Sequence, residues 1–235
     1  MGFKVITEPT VAAEKFMIYG LAGSGKTTFA SKLKNSLIVD IEGGANKIST
    51  PRTERIKSTE QLYTIMADLY REPERKFDTI CFDSADWLAR LIIEDVAGID
   101  KKNLDATLNK SNGGYGNGKQ VLENHVRSRL LPMLAALIDK GYNVCLLAHA
   151  AVKDITDADG MDVEKLAPKI DPVTLDAFVE WCDDIFYLKN VDGERTITLE
   201  DNGSVLAKNR LGLHGTVKLS EFDMDKIINE PINNK

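Results

Sequence analysis

The sequence predicts an α/β fold with a mainly parallel central sheet, helices on both faces and antiparallel C-terminal strands. Three observations carry that expectation. Short β-rich runs alternate with helical patterns, the order produced by βαβ units. The runs are apolar at consecutive positions, as strands covered on both faces are, and not at every second position. Near the C-terminus short strands follow one another directly, and Val191-Asp192-Gly193-Glu194 between two of them reads as a hairpin turn.

The expected strands are Phe16 to Gly20, Ser36 to Ile41, Phe77 to Asp83 and Tyr142 to His149. Between them lie helical patterns at Lys26 to Lys34, Thr59 to Tyr70, Ala85 to Ala97 and Lys119 to Lys140. In the last, Leu122, Val126, Leu130, Met133 and Leu137 share one sector at 3.6 residues per turn, and Pro132 predicts a kink. Beyond Ala150 a polar stretch, part of a loop running from Ala151 to Pro172, leads to a helix over Asp171 to Cys182. Strands are then expected at Ile185 to Asn190, Arg195 to Glu200, Ser204 to Lys208 and Thr216 to Leu219. No repeat or Pro-rich linker divides the chain, so residues 1–225 read as one domain and 226–235 as a tail that frays from Pro231.

Composition bounds the function. The 235 residues carry 30 Lys plus Arg against 36 Asp plus Glu, a net charge of −6, with 43% hydrophobic and 28% charged residues. These are globular proportions, unlike those of a disordered, collagen-like or coiled-coil chain. A constitutive coat for nucleic acid usually has a basic excess, so any such contact should be local. Cys81, Cys145 and Cys182 are odd in number and far apart, which suggests neither a disulfide framework nor a zinc knuckle and fits a reducing, cytoplasmic setting. No apolar run reaches the length of a membrane span, and MGFKVITEPT lacks the apolar centre of a signal peptide.

The most specific motif follows the first strand: Gly20-Leu21-Ala22-Gly23-Ser24-Gly25-Lys26-Thr27-Thr28, a G-x-x-x-x-G-K-T loop opening a helix. Its glycines let successive backbone N–H groups turn inward on phosphate oxygens, and the helix start adds positive potential. Lys26 is placed to reach the β and γ phosphates of ATP, and the Thr27 hydroxyl to ligate Mg²⁺. The second Mg²⁺ partner is expected on an apolar strand ending in Asp, which Thr79-Ile80-Cys81-Phe82-Asp83 supplies; Asp78, Asp86 and Asp95 sit at a strand start or on a helix. Many ATPases carry a catalytic Glu directly after this Asp, but the next residue is Ser84. Asp40-Ile41-Glu42-Gly43-Gly44 projects another carboxylate from a strand end, making Glu42 the candidate base that orients and deprotonates water.

Together these residues resemble the RecA/DnaB branch of the P-loop ATPases, in which the catalytic Glu follows the second strand. More narrowly, G-L-A-G-S-G-K-T-T, L-I-V-D-I-E-G-G and the later L-L-A-H look like phage-encoded AAA/RecA-like ATP-binding proteins, some of which assist single-strand annealing and recombination. The resemblance spans about residues 16–215 and implies a RecA-like P-loop NTPase fold. It gives His149, at the end of Val144 to Ala148, the place of a γ-phosphate sensor. Lys208-Asn209-Arg210-Leu211-Gly212 is similar to the K-x-R-x-G segment whose Lys and Arg reach a neighbouring subunit's γ phosphate, implying a homo-oligomeric ring or filament.

In RecA-like proteins two loops face nucleic acid. Residues 98–132 hold six cations against three carboxylates, a net of +3 (Lys101, Lys102, Lys110, Lys119, Arg127 and Arg129 against Asp100, Asp105 and Glu123), and the Gly-rich loop presents Tyr115 for base stacking. Tyr115, Lys119, Arg127 and Arg129 are therefore the candidate contacts to single-stranded DNA. The second loop is acidic at −3, with Asp154, Asp157, Asp159, Asp162, Glu164 and Asp171 against Lys153, Lys165 and Lys169. It would repel phosphate unless a partner such as a single-strand-binding or replisome protein, or a metal, screens it. Three functions stay open: an ATPase acting on single-stranded DNA, a nucleotide switch or loader recruiting a partner, and a small-molecule kinase. The last normally closes an Arg-rich lid over the phosphates, and residues 150–172 contain no Arg.

Overall fold

The structure, a computed structural model, describes residues 12–97, 104–156 and 160–229. Asp100, Lys101, Lys102, Asp157, Asp159 and Pro231–Lys235 lie outside the described residues, as does the side chain of Asp105. The elements run β1 (Lys15–Gly20), α1 (Lys26–Ala30), β2 (Ser36–Asp40), α2 (Thr59–Arg71), β3 (Thr79–Asp83), α3 (Ala85–Ala97), α4 (Leu104–Lys110), α5 (Asn117–His125), α6 (Leu131–Asp139), β4 (Asn143–Thr156), β5 (Asp162–Pro168), α7 (Pro172–Trp181), β6 (Asp184–Val191), β7 (Glu194–Thr198), β8 (Thr216–Lys218) and α8 (Met224–Asn229).

The sheet order is β2-β3-β4-β1-β6-β7-β8, parallel from β2 through β6 and antiparallel over β7 and β8. The mixed α/β class and the antiparallel end are as the sequence predicts. Consecutive apolar residues serve both faces, because successive strand side chains point to opposite sides. Met17 and Tyr19 join the core under α2, α3, α5, α6 and α7, while Phe16 and Ile18 join a second core with Phe29 of α1 and Ile228 of α8. Val144 and Leu146 split from Cys145 and Leu147 in the same way. All three cysteines are buried and free.

Local chemistry sets the ends of the elements. The Ser58 hydroxyl accepts from the Gln61 N–H at the start of α2, and the Asp171 carboxylate accepts from the Thr174 N–H ahead of Pro172 in α7. Asp192 and Gly193 both have positive φ, 51° and 86°, as a two-residue type I′ hairpin requires.

Several boundaries depart from expectation. The helix after the phosphate loop ends at Ala30, not Lys34, and gives way to turns. The helix predicted over Lys119 to Lys140 starts at Asn117 and is interrupted by a π-helical segment, Val126–Leu130. Pro132 explains this: in a regular helix its ring meets the Ser128 carbonyl four residues back, and the wider turn relieves the clash. The extra residue in that turn rotates α6 relative to α5, so Leu134 is fully buried where Met133 was expected, and Met133 is only partly buried. The stretch expected to be a loop from Ala151 to Pro172 is instead largely a two-stranded ribbon, in which β4 runs on past the sheet to Thr156 and pairs with β5. Its alternating exposed and half-buried residues mark a ribbon with one wet face. Ser204 to Lys208 makes only isolated bridges, Val205 to Leu166 and Lys208 to Ile185. The strand expected at Arg195 to Glu200 is Glu194–Thr198. At the C-terminus α8 buries Ile228, so residues 226–229, expected in the tail, belong to a packed helix.

At the N-terminal end of the sheet the buried Asp184 lies among the half-buried Glu14 and Asp183. The Glu14 carboxyl is raised to about 7 by burial, reinforced by Asp184 and Asp183, and Asp184 to about 6 by burial, opposed by the N–H that Arg210 donates to it. Both values exceed the ordinary carboxylate range, so between about pH 4.5 and 7 the folded state holds more protons than the unfolded chain. Stability therefore falls as pH rises through this window. Replacing Glu14 with Gln is expected to flatten that fall and raise stability at pH 8 by about 1 kcal/mol, after allowance for its partial exposure. Urea titrations at pH 5 and pH 8 measure it; equal pH slopes in both proteins would refute it.

Candidate nucleotide site

The loop from Gly20 to Gly25 leaves β1 in the sheet centre and turns into α1 with Gly23 and Gly25 at φ 79° and 100°, left-handed values that favour glycine. Gly20 has a different constraint: a Cβ there would lie 2.2 Å from the Leu188 carbonyl and 2.6 Å from the Ser24 Oγ, so the loop can approach β6 only without a side chain. The Lys26 ammonium folds back on the loop, donating to the Gly20 carbonyl at 3.0 Å and the Leu21 carbonyl at 3.2 Å. Burial lowers its pKa, while Asp83, Asp86 and Glu42 oppose that shift. The Ser24 hydroxyl is buried with no hydrogen-bond partner among the described residues.

Asp83 ends β3, which β4 separates from β1, yet the Thr27 hydroxyl donates to its Oδ2 at 2.7 Å. Burial raises the Asp83 carboxyl, against the Thr27 hydrogen bond. A hydroxyl and a buried carboxylate in contact, beside a loop holding an orphaned polar atom, match the donor set that Mg²⁺ and a triphosphate require.

Because β2 pairs with β3, Asp40 lies level with Asp83, and the chain beyond it carries Glu42 across the strand ends. There the Ser84 hydroxyl donates to Glu42 Oε2 at 3.3 Å, and His149 Nε2 faces Glu42 Oε1 at 3.8 Å. The other ring nitrogen, Nδ1, lies 3.0 Å from Asp86 Oδ2, and the His149 N–H also donates to Asp86. The Asp86 hydrogen bond raises the His149 pKa against burial. Burial works to raise Asp86, but hydrogen bonds from His149 and Ser84 outweigh it and hold that carboxyl low. Lys26, Thr27, Glu42, Asp83 and His149, distant in sequence, thus meet at one end of the parallel strands, where open α/β sheets bind ligands.

Two residues of this site escaped sequence reasoning. Asp86 reads as an ordinary first-turn helix acid, although its spacing of three from Asp83 places it beside the same strand end. Arg195, on β7, donates from Nε to the Ser24 carbonyl at 3.1 Å and packs on Gly25, whose added Cβ would lie 2.7 Å from that nitrogen. A cleft of about 300 Å³ opens beside it, lined by Thr28, Phe29, Phe222 and Asp223 among others.

The remaining candidates lie apart. The Lys208 ammonium donates to the Val179 carbonyl, and Arg210, with a largely exposed side chain, pairs with Asp183 at 3.0 Å. Lys208 bridges to Ile185 at the start of β6, level with Met17, and Asp184 is level with Phe16. These positions lie about 10–13 Å along the strand from Gly20, at the opposite end of the sheet from this chain's own phosphate loop. Tyr115 is fully exposed, with φ 54°. Lys119 is exposed on α5. Arg127 is held by Glu123 at 3.1 Å and Glu180 at 2.8 Å, and the Arg129 guanidinium lies over the Tyr63 ring at 4.3 Å. Among the described residues no helix is long and apolar enough to cross a membrane.

A family profile described as an AAA domain matches residues 12–211. No curated protein matches the chain. Among solved structures, the crystal structure of the RadB recombinase is similar at a TM-score of 0.50 and 16% identity, over 88% of this chain and 87% of that one, a likeness of fold. With the phosphate loop, the Thr27–Asp83 contact and a RecA-like sheet already in place, the match across most of its length means that this chain belongs to the AAA-domain family of P-loop NTPases.

Proposed function

We propose that this protein is a Mg²⁺-dependent ATPase of RecA type that acts on single-stranded DNA in phage-type recombination or replication, working as a homo-oligomeric ring or filament. The observation that carries the proposal is the convergence of Glu42 and His149 on the strand end that holds Asp83 and Thr27. A carboxylate there can take the proton of an attacking water, as hydrolysis requires, and residues 150–172 hold no Arg for the lid that a small-molecule kinase closes over its phosphates.

Lys26 exchanges its two backbone carbonyl partners for phosphate oxygens, which suits an ammonium already stripped of water. The Thr27 hydroxyl and Asp83 would hold Mg²⁺, which would supply charge neutralisation on the triphosphate. Glu42 orients the attacking water and accepts its proton, while the Ser84 hydroxyl holds the carboxylate in place. His149, oriented by Asp86, donates from Nε2 toward the γ phosphate. Lys208 and Arg210 act on the neighbouring subunit's nucleotide, since they lie far from the loop of their own chain. Tyr115, Lys119, Arg127 and Arg129 remain the candidate DNA contacts of the Gly-rich region; the last two would first have to leave their internal partners.

One observation favours a switch that recruits a single-strand-binding or replisome protein alongside this chemistry. His149 is continuous with the β4–β5 ribbon, and its carbonyl accepts from Lys169 at 2.7 Å, so movement at the sensor passes directly into the acidic ribbon.

ATP hydrolysis measured against protein concentration, with and without single-stranded DNA, tests the proposal. The rate per protomer is expected to rise with concentration and to increase several-fold with DNA. Rates indifferent to DNA would remove its nucleic-acid half. Mixing Arg210→Ala with Glu42→Gln protein should restore hydrolysis that neither shows alone, and no recovery would argue against catalysis across subunits.

A further inference from the structure

From the groove between α3 and the segment leading into α2, we infer that single-stranded nucleic acid docks on Arg55, Lys57, Trp87 and Arg90, immediately beside the candidate base Glu42. This deepens the proposed function and rests on its reading of the protein as an ATPase acting on single strands.

The groove, about 400 Å³, is lined by Ile41, Arg55, Lys57, Trp87 and Arg90 among others, with Glu94 as the one carboxylate in its lining among the described residues. Its size is that of a small-ligand cleft. The walls are built on regular structure. Residues 51–56 are tied to the outer edge of β2, with Ile38 bonded to Pro51 and Thr53 and Ile56 bonded to Asp40. The opposite wall is the first three turns of α3, where Trp87, Arg90, Leu91 and Glu94 follow a helical spacing on one face.

Two guanidiniums flank the half-buried Trp87 ring, Arg55 at 5.8 Å and Arg90 at 5.2 Å from its centroid. Among the described residues, the side chains of Arg55, Lys57 and Arg90 form no ion pair, although carboxylates outnumber cations in the chain. Unneutralised cations interleaved with a flat aromatic surface are what a single strand uses, phosphates on the charges and bases on the planes. An acidic peptide would need the charges but not the indole.

The groove also reaches the catalytic end. The Arg55 side chain packs on Gly43, whose added Cβ would lie 2.9 Å from Arg55 Cδ, and Gly43 follows Glu42. An anion that draws Arg55 away therefore acts on the turn that aims Glu42. The Gly-rich loop has an exposed Tyr115, but Arg127 of that region is already paired with Glu123 and Glu180.

The test is a titration of the full chain, with a non-hydrolysable ATP analogue and Mg²⁺, using a labelled oligothymidylate of about 30 nucleotides, longer than typical single-strand sites. The Arg55→Ala/Arg90→Ala double variant is expected to bind at least about tenfold more weakly. Its log–log salt slope should be shallower by about 1.4, the loss of two phosphate contacts on a single strand. A second measurement guards against misfolding: Trp181→Phe leaves Trp87 as the only tryptophan, and its fluorescence should be quenched as the oligonucleotide binds. Undiminished binding by the double variant with no quenching would overturn the groove and leave the proposed function standing. Loss of binding in Tyr115→Ala but not in the double variant would do the same, in favour of the Gly-rich loop. Absence of binding by the unmodified chain would remove both the groove and the single-strand reading. A poly-glutamate peptide of equal charge bound as tightly as the oligonucleotide would overturn the nucleic-acid assignment.

Discussion

Replacing Glu42 with Gln is expected to lower kcat for ATP hydrolysis by about 10²- to 10³-fold while nucleotide affinity stays within a few-fold of the parent. The amide keeps the size of the side chain and can still accept from the Ser84 hydroxyl, which approaches Glu42 at 3.3 Å. It cannot take a proton from water. The loss should therefore fall on the chemical step, because Lys26, Thr27 and the loop amides, the proposed phosphate contacts, are untouched. Glu42 also raises the His149 pKa, after the dominant hydrogen bond that the ring makes to Asp86, so the variant should carry a modestly less basic histidine. Steady-state hydrolysis together with fluorescent-nucleotide binding separates the two effects. An unchanged kcat would exclude Glu42 as the base, and a parallel loss of affinity would recast it as a binding or folding residue.

Replacing Lys26 with Met should be more severe, because it removes ground-state and transition-state interactions together. One charge-assisted hydrogen bond is worth about 1.5–3 kcal/mol, so nucleotide affinity should fall about 10- to 100-fold. Lost stabilisation of charge on the transferring phosphoryl group should lower the rate by about a further 10²- to 10³-fold. Methionine fills the channel that the lysine stem occupies, so packing is largely kept. Without the ammonium, Asp83, Asp86 and Glu42 share the pocket with no cation from Lys26, and the raised Asp83 carboxyl should rise further. Mg²⁺-dependent nucleotide binding should then shift to higher pH. Calorimetric titration at pH 6.5 and pH 8 reads both changes; near-parental affinity at both would show that Lys26 does not contact the nucleotide.

The parts of the site legible from sequence are those in which one short segment does the whole task. Gly20 to Thr28 encodes both the turn and the groups it presents, and Asp83 is marked by the apolar run before it. Glu42 was reachable because β2 and β3 are neighbours, so two strand ends carry their acids side by side. Asp86 and Arg195 were not reachable in this way. Asp86 gains its role only when β4 brings His149 against α3, and Arg195 only when the hairpin after β6 folds over the loop. The acidic stretch after His149 misled for a related reason: its residues look like a solvated loop in isolation and become a ribbon only through mutual pairing of β4 and β5.

By itself the sequence determined the α/β class, the two-faced strands, the phosphate loop and the carboxylate that meets Thr27, because each follows from local periodicity or from a motif complete within a few residues. Only the tertiary structure decided that Asp86 orients His149 and that Arg195 lies on the loop. It also placed Lys208 and Arg210 at the far end of the sheet and gathered Arg55, Trp87 and Arg90 around one groove. The physical reason is that side chains from separate elements meet through strand order and helix packing, and neither is written in any one segment.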